Sequence, residues 1–268
     1  MLVYKYVVPE RIDVLESGCI RFTQAAALND PFENYPCFRL FNKSLEERSR
    51  RVLKSAEGRF DAHSMVLGEI MIPKMVRDRT IELQRDLSSE YPLLSLSKKR
   101  NNLLLWSHYS NSHRGFVIGF DSGHPFFHKE KPRRMTHLGE VKYSSKRLVL
   151  PAFEDCGAEE VYEIVFFTKS HHWSYEEELR MLAQPTAADT VLKGNDGFDI
   201  YLYRFPPECL KEVILGHLMK PSLKEKISAI VSENYPHAEI LETRLNETDF
   251  DLDIVPYRTK RLKAEGAG

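Results

Sequence analysis

The chain predicts an α+β fold in a single domain with a helical insertion, and three observations carry that prediction. Strand-like and helix-like segments follow one another through the sequence. No Gly/Ser-rich or Pro-rich linker and no internal repeat divides it. At 268 residues with 42% hydrophobic content, it is long and apolar enough to bury a substantial core. The expected organisation is one α+β domain over 1–257, an insertion at about 44–90 and a flexible basic tail over 258–268.

The elements are justified in order. Leu2 to Val8 is β-branched and aromatic, and Pro9 opens the helix-like PERIDVLESG, which Gly18 closes. Cys19 to Thr23 is a second strand. Residues 24–36 have no clean period, and Asn29-Asp30-Pro31 marks a turn, because the residue before proline is pushed out of the helical region. From Ser44 to Ser89 apolar residues recur at intervals of three and four, predicting two or three amphipathic helices interrupted at Pro73. Leu93 to Ser97 is a strand, Asn101 to Ser110 a short helix and Phe116 to Phe120 a strand. Strands are then expected at Gly139–Tyr143, Glu160–Lys169, Glu178–Ala183 and Ile200–Phe205, followed by Val213–Gly216. A helix over Ser222–Asn234 and strands near Ala238–Arg244 and Phe250–Val255 complete the order.

Composition excludes several function classes. Thirty-eight basic against 39 acidic residues leave a net charge of -1, so no global field draws the protein to nucleic acid or an anionic membrane. The four cysteines, Cys19, Cys37, Cys156 and Cys209, form no CxxC pair and read as reduced, buried thiols. The opening MLVYKYVVPERIDVL lacks a signal-peptide pattern, and no apolar run reaches the ~18 residues of a membrane span. A cytoplasmic location without membrane contact is expected. No Walker, GxGxxG, HExxH or GxSxG pattern is present, which removes support for the common nucleoside-triphosphate and zinc-hydrolase chemistries.

The most informative stretch is KSHHWSYEEELRML, Lys169 to Leu182. If it is extended, Glu176, Glu178 and Arg180 share one face, since alternate side chains point the same way. Two carboxylates on one face either are neutralised by Arg180 and Lys169, or have one pKa pushed up, as in acid/base sites. A solvated salt bridge is the competing reading, and the flanking Trp173 and Tyr175 favour a site. A second cluster, WSHYSNSHRG, holds Trp106, His108, Tyr109, His113 and Arg114 before an apolar strand. Trp106 and Tyr109 stack at helical spacing, with core packing the alternative for Trp106. The two histidines serve either as caps or as site groups. Arg114 with Gly115 offers an anion a charged fork and a close backbone approach, or simply ends the helix. In GHPFFHKEKPRRMTH the irregular histidine spacing fits an exposed loop better than a metal site.

Three segments, LNDPFE at 28–33, WSHYSNSHRGFVIGF at 106–120 and KSHHWSYEEELRM at 169–181, resemble a bacterial domain family of unknown function. That family is marked by FNDPFE, WxHYxxxHxG and KxxxWxYExExR. LVYKYV and PPECLKEVILG resemble its ends, and Leu28 replaces the usual phenylalanine. More distantly, the element order is similar to that of ADP-ribosyltransferases and RNA phosphotransferases, which implies a mixed or split β-sheet core. The resemblance implies Lys5 in the first catalytic position, Ser95 or Ser97 in the second, and Glu176 or Glu178 in the third. Lysine there departs from the usual His or Arg, because a mobile point charge does not reproduce a planar contact.

The activity implied is NAD-dependent ADP-ribosyl transfer to a protein or nucleic acid, with NAD as co-substrate and no metal, in a toxin or phage-defence setting. A carboxylate would stabilise the oxocarbenium-like state. Trp106, Trp173 or Tyr175 would stack on a base, and Arg114 or Arg180 would meet the pyrophosphate. Two alternatives stand beside it. One is a non-catalytic module binding a nucleotide, nucleic acid or protein. The other is a metal-dependent nuclease using Asp30, Glu33, Glu176 and Glu178.

Overall fold

The computed structural model describes residues 1–24, 27–32, 37–39, 78, 81, 82, 86, 91–128, 138–151, 158–194 and 197–258. The expected insertion at about 44–90 lies outside them except at 78, 81, 82 and 86, and these four are helical. Of the basic tail only residue 258 is described.

Strand β1 (Leu2–Val7) leads through a 3-10 turn at Pro9–Arg11 into the short helix α1 (Asp13–Ser17) and β2 (Cys19–Phe22). Gly18 ends α1 with φ 66, a left-handed conformation that glycine adopts without steric penalty. There follow β3 (Cys37–Arg39), β4 (Leu93–Ser97), helix α2 (Leu103–Tyr109), β5 (Phe116–Asp121), β6 (Leu138–Glu140), β7 (Lys142–Ser144) and β8 (Val149–Pro151). Helix α3 (Ala158–Phe166), β9 (Thr168–Ser170) and β10 (Glu178–Leu182) precede β11 (Thr190–Lys193) and β12 (Asp199–Arg204). The chain then forms β13 (Leu210–Leu215), helix α4 (Pro221–Asn234), β14 (Glu239–Leu245) and β15 (Leu252–Pro256).

The fold is α+β. Its main sheet has eight strands in the order β15-β14-β13-β5-β1-β4-β10-β6. The β13–β14 pair, spanned by α4, is parallel and the other pairs are antiparallel. A smaller sheet runs β11-β12-β2, and Thr23 bridges to Leu93 at the junction with the main sheet.

One junction in the main sheet differs from the rest. β1 pairs with β5 from Leu2 to Val7, but with β4 only where Tyr4 faces Ser97. The sheet therefore opens between β1 and β4. Alternation along β1 sends Val3 and Val7 into the largest buried cluster, with Phe116, Ile118 and Leu96, and sends Tyr4 and Tyr6 into a second cluster under α2. Trp106, wholly buried, anchors α2 there by an edge-on contact with Tyr6, ring centres 5.5 Å apart.

Three expectations are corrected. The segment Glu160–Lys169 is mostly helix. Tyr162 and Phe166, one turn apart, stack at 5.9 Å, and Val165 and Phe166 bury against Leu93 and Leu182. That i,i+4 contact outweighs the β-propensity of the run. Gly139–Tyr143 is two strands, β6 and β7, separated at Val141. Finally, the extended stretch begins only at Glu178, because His171–Glu176 is a 3-10 helix that ends at Glu177 with φ 41. Among the described residues no helix is long and apolar enough to cross a membrane.

Candidate functional site

A cavity of about 140 Å³ lies where β1 and β4 part. Its walls include Tyr4, Lys5 and Tyr6 of β1, Ser95, Leu96 and Ser97 of β4, Tyr109 of α2, and Lys169, Glu176 and Glu178. Leu28 and Asn29, from the LNDPFE segment, complete one side. Residues far apart in sequence thus converge on one opening.

The two carboxylates reach it by different routes. Glu178 opens β10, opposite Ser97, and Arg180 follows on the same face opposite Ser95. Glu176 ends the 3-10 helix, and the left-handed turn at Glu177 brings it back beside Glu178. Ser97 Oγ fixes that turn by donating to the Glu176 carbonyl at 2.6 Å. The Glu178 N–H donates to Tyr143 Oη at 2.8 Å. Glu177 itself points to solvent and pairs with Lys99.

Both carboxylates and their cations are buried. Lys169 Nζ is 2.6 Å from Glu176 Oε2 and 3.1 Å from Glu178 Oε2. Arg180 grips Glu178 through Nε to Oε1 at 2.8 Å and Nη2 to Oε2 at 3.0 Å, while its Nη1 donates to the Phe166 carbonyl at 2.7 Å. Lys169, not Arg180, is thus the cation that touches both carboxylates. Tyr109 Oη donates to Glu176 Oε1 at 2.6 Å and accepts from Asn29 Nδ2 at 3.2 Å. Such a set is tolerated only because each buried charge meets an opposite one.

The electrostatics follow from burial and pairing. Burial raises the Glu178 pKa, with Lys169 and the Ser95 hydroxyl favouring the ionised form. For Lys169 burial acts downward, but Glu178 and Glu176 lift it above its ordinary value. Burial raises the Tyr109 phenol, as does its bond to Glu176, so it stays a donor. The Lys5 ammonium, which donates to the Ser95 carbonyl at 3.0 Å, is pushed down to about 8, first by burial and then against the pull of Glu178.

The remaining predicted residues lie around this centre. Trp173 is half-buried with Lys169 Nζ 5.0 Å from a ring centre, and Tyr175 packs 6.0 Å from Trp173. Neither lines the cavity. Trp106 lies behind the wall, its Nε1 donating to the Arg100 carbonyl at 3.0 Å. Its contribution is to hold α2, whose N-terminus is capped by Asn102 Oδ1 accepting from Leu104 and Leu105. His113 stacks on Trp106 and meets His217 edge-on, away from the cavity lining. Burial lowers its pKa, and His217 adds to the effect. His108 and Arg114 are exposed. The close approach at Gly115 is to protein backbone: a Cβ there would sit 2.0 Å from the Val7 carbonyl oxygen.

Several contributors carried no signal as site residues. Tyr143 sits in a short exposed-looking strand, and Asn29 read only as part of a turn. Asp30 does accept from the Phe32 N–H, the turn that the sequence suggests, while its buried Oδ2 has no hydrogen-bond partner among the described residues. Glu33 lies outside the described residues. Among the described residues no group of three or more His, Cys, Asp or Glu is placed to hold a metal ion. Cys19 and Cys209 are buried free thiols. In the histidine-rich loop His124 caps the turn at Pro125–Phe127 and His128 bonds the Ser122 carbonyl; His137 is outside the described residues.

Residues 105–181 match the model of a family described as a protein of unknown function, DUF2971. The match covers all of WSHYSNSHRGFVIGF and all of KSHHWSYEEELRM, and so supports a domain family of unknown function. No curated protein and no solved structure matches the chain.

Proposed function

We propose that the protein is an ADP-ribosyltransferase-like enzyme that uses NAD as co-substrate. One observation carries this reading: Lys5, Ser95, Ser97, Glu176 and Glu178 line a single cavity at the point where the sheet opens. At about 140 Å³ it is close to the size of cavities that admit one aromatic ring, about 150 Å³. A nicotinamide ring fits it, with Asn29 and Ser95 available to a carboxamide and Tyr4, Leu96 and Leu105 as apolar walls.

The chemistry asks for little beyond what the chain supplies. The bond from ribose C1′ to nicotinamide breaks, its electron pair leaving with the ring nitrogen, and an acceptor nucleophile forms the new bond to C1′. Glu178, next to Ser95, opposes the positive charge that develops on the sugar. Glu176 takes the acceptor's proton. The acceptor is a protein or nucleic acid, in keeping with a toxin or phage-defence effector.

A second reading, a non-catalytic nucleotide-binding module, is favoured by one fact: both Glu178 oxygens are already bonded to Arg180. Incubation with NAD labelled in its ADP-ribose half, alone and with protein and nucleic-acid acceptors, separates the two. Release of nicotinamide and transfer of label, both lost in Glu178→Gln with NAD binding retained, are expected. Intact NAD with every acceptor, alongside measurable NAD binding, leaves the binding module in its place.

A further inference from the structure

Beside the cavity runs a second groove of about 190 Å³, which shares Lys5, Tyr6, Thr23 and Tyr109 with it as a common wall. Its lining adds Arg11 and Arg21 and contains no Asp or Glu among the described residues. Arg11 is committed, since its Nε lies 2.9 Å from Asp13 Oδ1 and its Nη2 3.2 Å from Oδ2. Arg21 is not. Its Nε is buried without a hydrogen-bond partner among the described residues, and no carboxylate there pairs with its guanidinium.

A buried guanidinium nitrogen left without an acceptor carries a desolvation cost, which an anion at that position would remove. The same anion would relieve Lys5, whose charge is disfavoured by burial and by nearby Arg11 and Arg21. Arginine suits a phosphate because its planar fork matches the oxygens two at a time.

We propose that this groove is a phosphate subsite in which Arg21, assisted by Lys5 and the Thr23 hydroxyl, receives the pyrophosphate of a nucleotide whose ring occupies the adjoining cavity. The inference rests on the reading of that cavity as a nucleotide site, whether the nucleotide is cleaved or only bound. The carboxylates and the cations then divide the ligand: sugar and ring toward Glu176 and Glu178, phosphates toward Arg21.

Inorganic pyrophosphate and ADP-ribose are the probes, titrated calorimetrically into the wild-type chain, Arg21→Gln, Arg21→Lys and Lys193→Gln. The expected result is binding by the wild type, at least about tenfold weaker in Arg21→Gln, which corresponds to about 1.4 kcal/mol. Arg21→Lys should recover part of the loss, and Lys193→Gln, at an exposed lysine of β11 outside the groove, should bind pyrophosphate as the wild type does. Equal affinity in wild type and Arg21→Gln, or no pyrophosphate binding by a folded wild type, overturns the subsite. Failure of the two proposals is distinguishable. Intact NAD with Arg21-dependent pyrophosphate binding removes the transferase and keeps the subsite; NAD turnover with an unchanged KM in Arg21→Gln does the reverse.

Discussion

Tyr109 donates its phenolic proton to Glu176 at 2.6 Å, joining the WSHYSNSHRG segment to KSHHWSYEEELRM across the cavity. Replacing Tyr109 with Phe removes the donor and leaves Glu176 Oε1 buried with one partner fewer. A loss of about 1.5–3 kcal/mol is expected, the range for bonds to charged groups. Urea unfolding of Tyr109→Phe measures it, and an unchanged midpoint would show that the bond carries no stability.

Lys169 holds two carboxylates together, so its removal exposes their repulsion. Lys169→Met should destabilise by about 3–5 kcal/mol, because both buried charges lose their shared partner. The double variant Lys169→Met, Glu176→Gln should recover much of that loss by removing one of the like charges. Strict additivity of the two single effects would contradict the coupling.

Lys5 sets a pH signature. Its folded pKa of about 8 lies below the ordinary lysine value of 10.5, so between those values the unfolded chain holds a proton that the folded chain has released. Stability contributed at Lys5 therefore rises with pH across that window. Lys169, shifted the other way, begins to differ from the unfolded chain only near its ordinary value and leaves the lower part of the window to Lys5. Comparing wild type with Lys5→Met from about pH 7 to about pH 9.5, the difference in unfolding free energy should move in favour of the wild type. A difference independent of pH contradicts the shift.

Close backbone packing makes Gly216 a sensitive position. A Cβ there would lie 2.2 Å from the His113 carbonyl oxygen and 2.7 Å from that of Gly115. Gly216→Ala should cost at least about 1–3 kcal/mol, the range for overpacking, and lower the thermal midpoint. An alanine variant as stable as the parent would show that the two loops part freely.

Much of this arrangement was legible in residue order. Leu93–Ser97 coincides with β4, and Gly18 closes α1 as its conformational freedom suggests. That Lys5, Ser95, Ser97, Glu176 and Glu178 line one cavity is a matter of long-range packing, which spacing alone does not encode. Three things were not legible. The route of Glu176 into the site depends on the left-handed Glu177, a conformation rare for a residue with a Cβ. The α3 segment is rich in β-formers, and the Tyr162–Phe166 stack and the packing on Tyr91 and Leu93 that favour a helix are contacts its β-propensity does not reveal. Arg21 looked like an ordinary strand residue, because its missing partner is a property of three-dimensional neighbours.

The opening between β1 and β4 has a further consequence at Ser95. The Ser95 carbonyl accepts from a side chain, Lys5 Nζ, across the parted strands. At the proposed site, that contact would act as a latch whose donor is also a charge facing the ligand. A ligand that draws Lys5 toward its own oxygens takes a donor from the sheet, so occupancy and strand separation become one event. Amide exchange along β4 would then report ligand arrival before any bond in the ligand had changed.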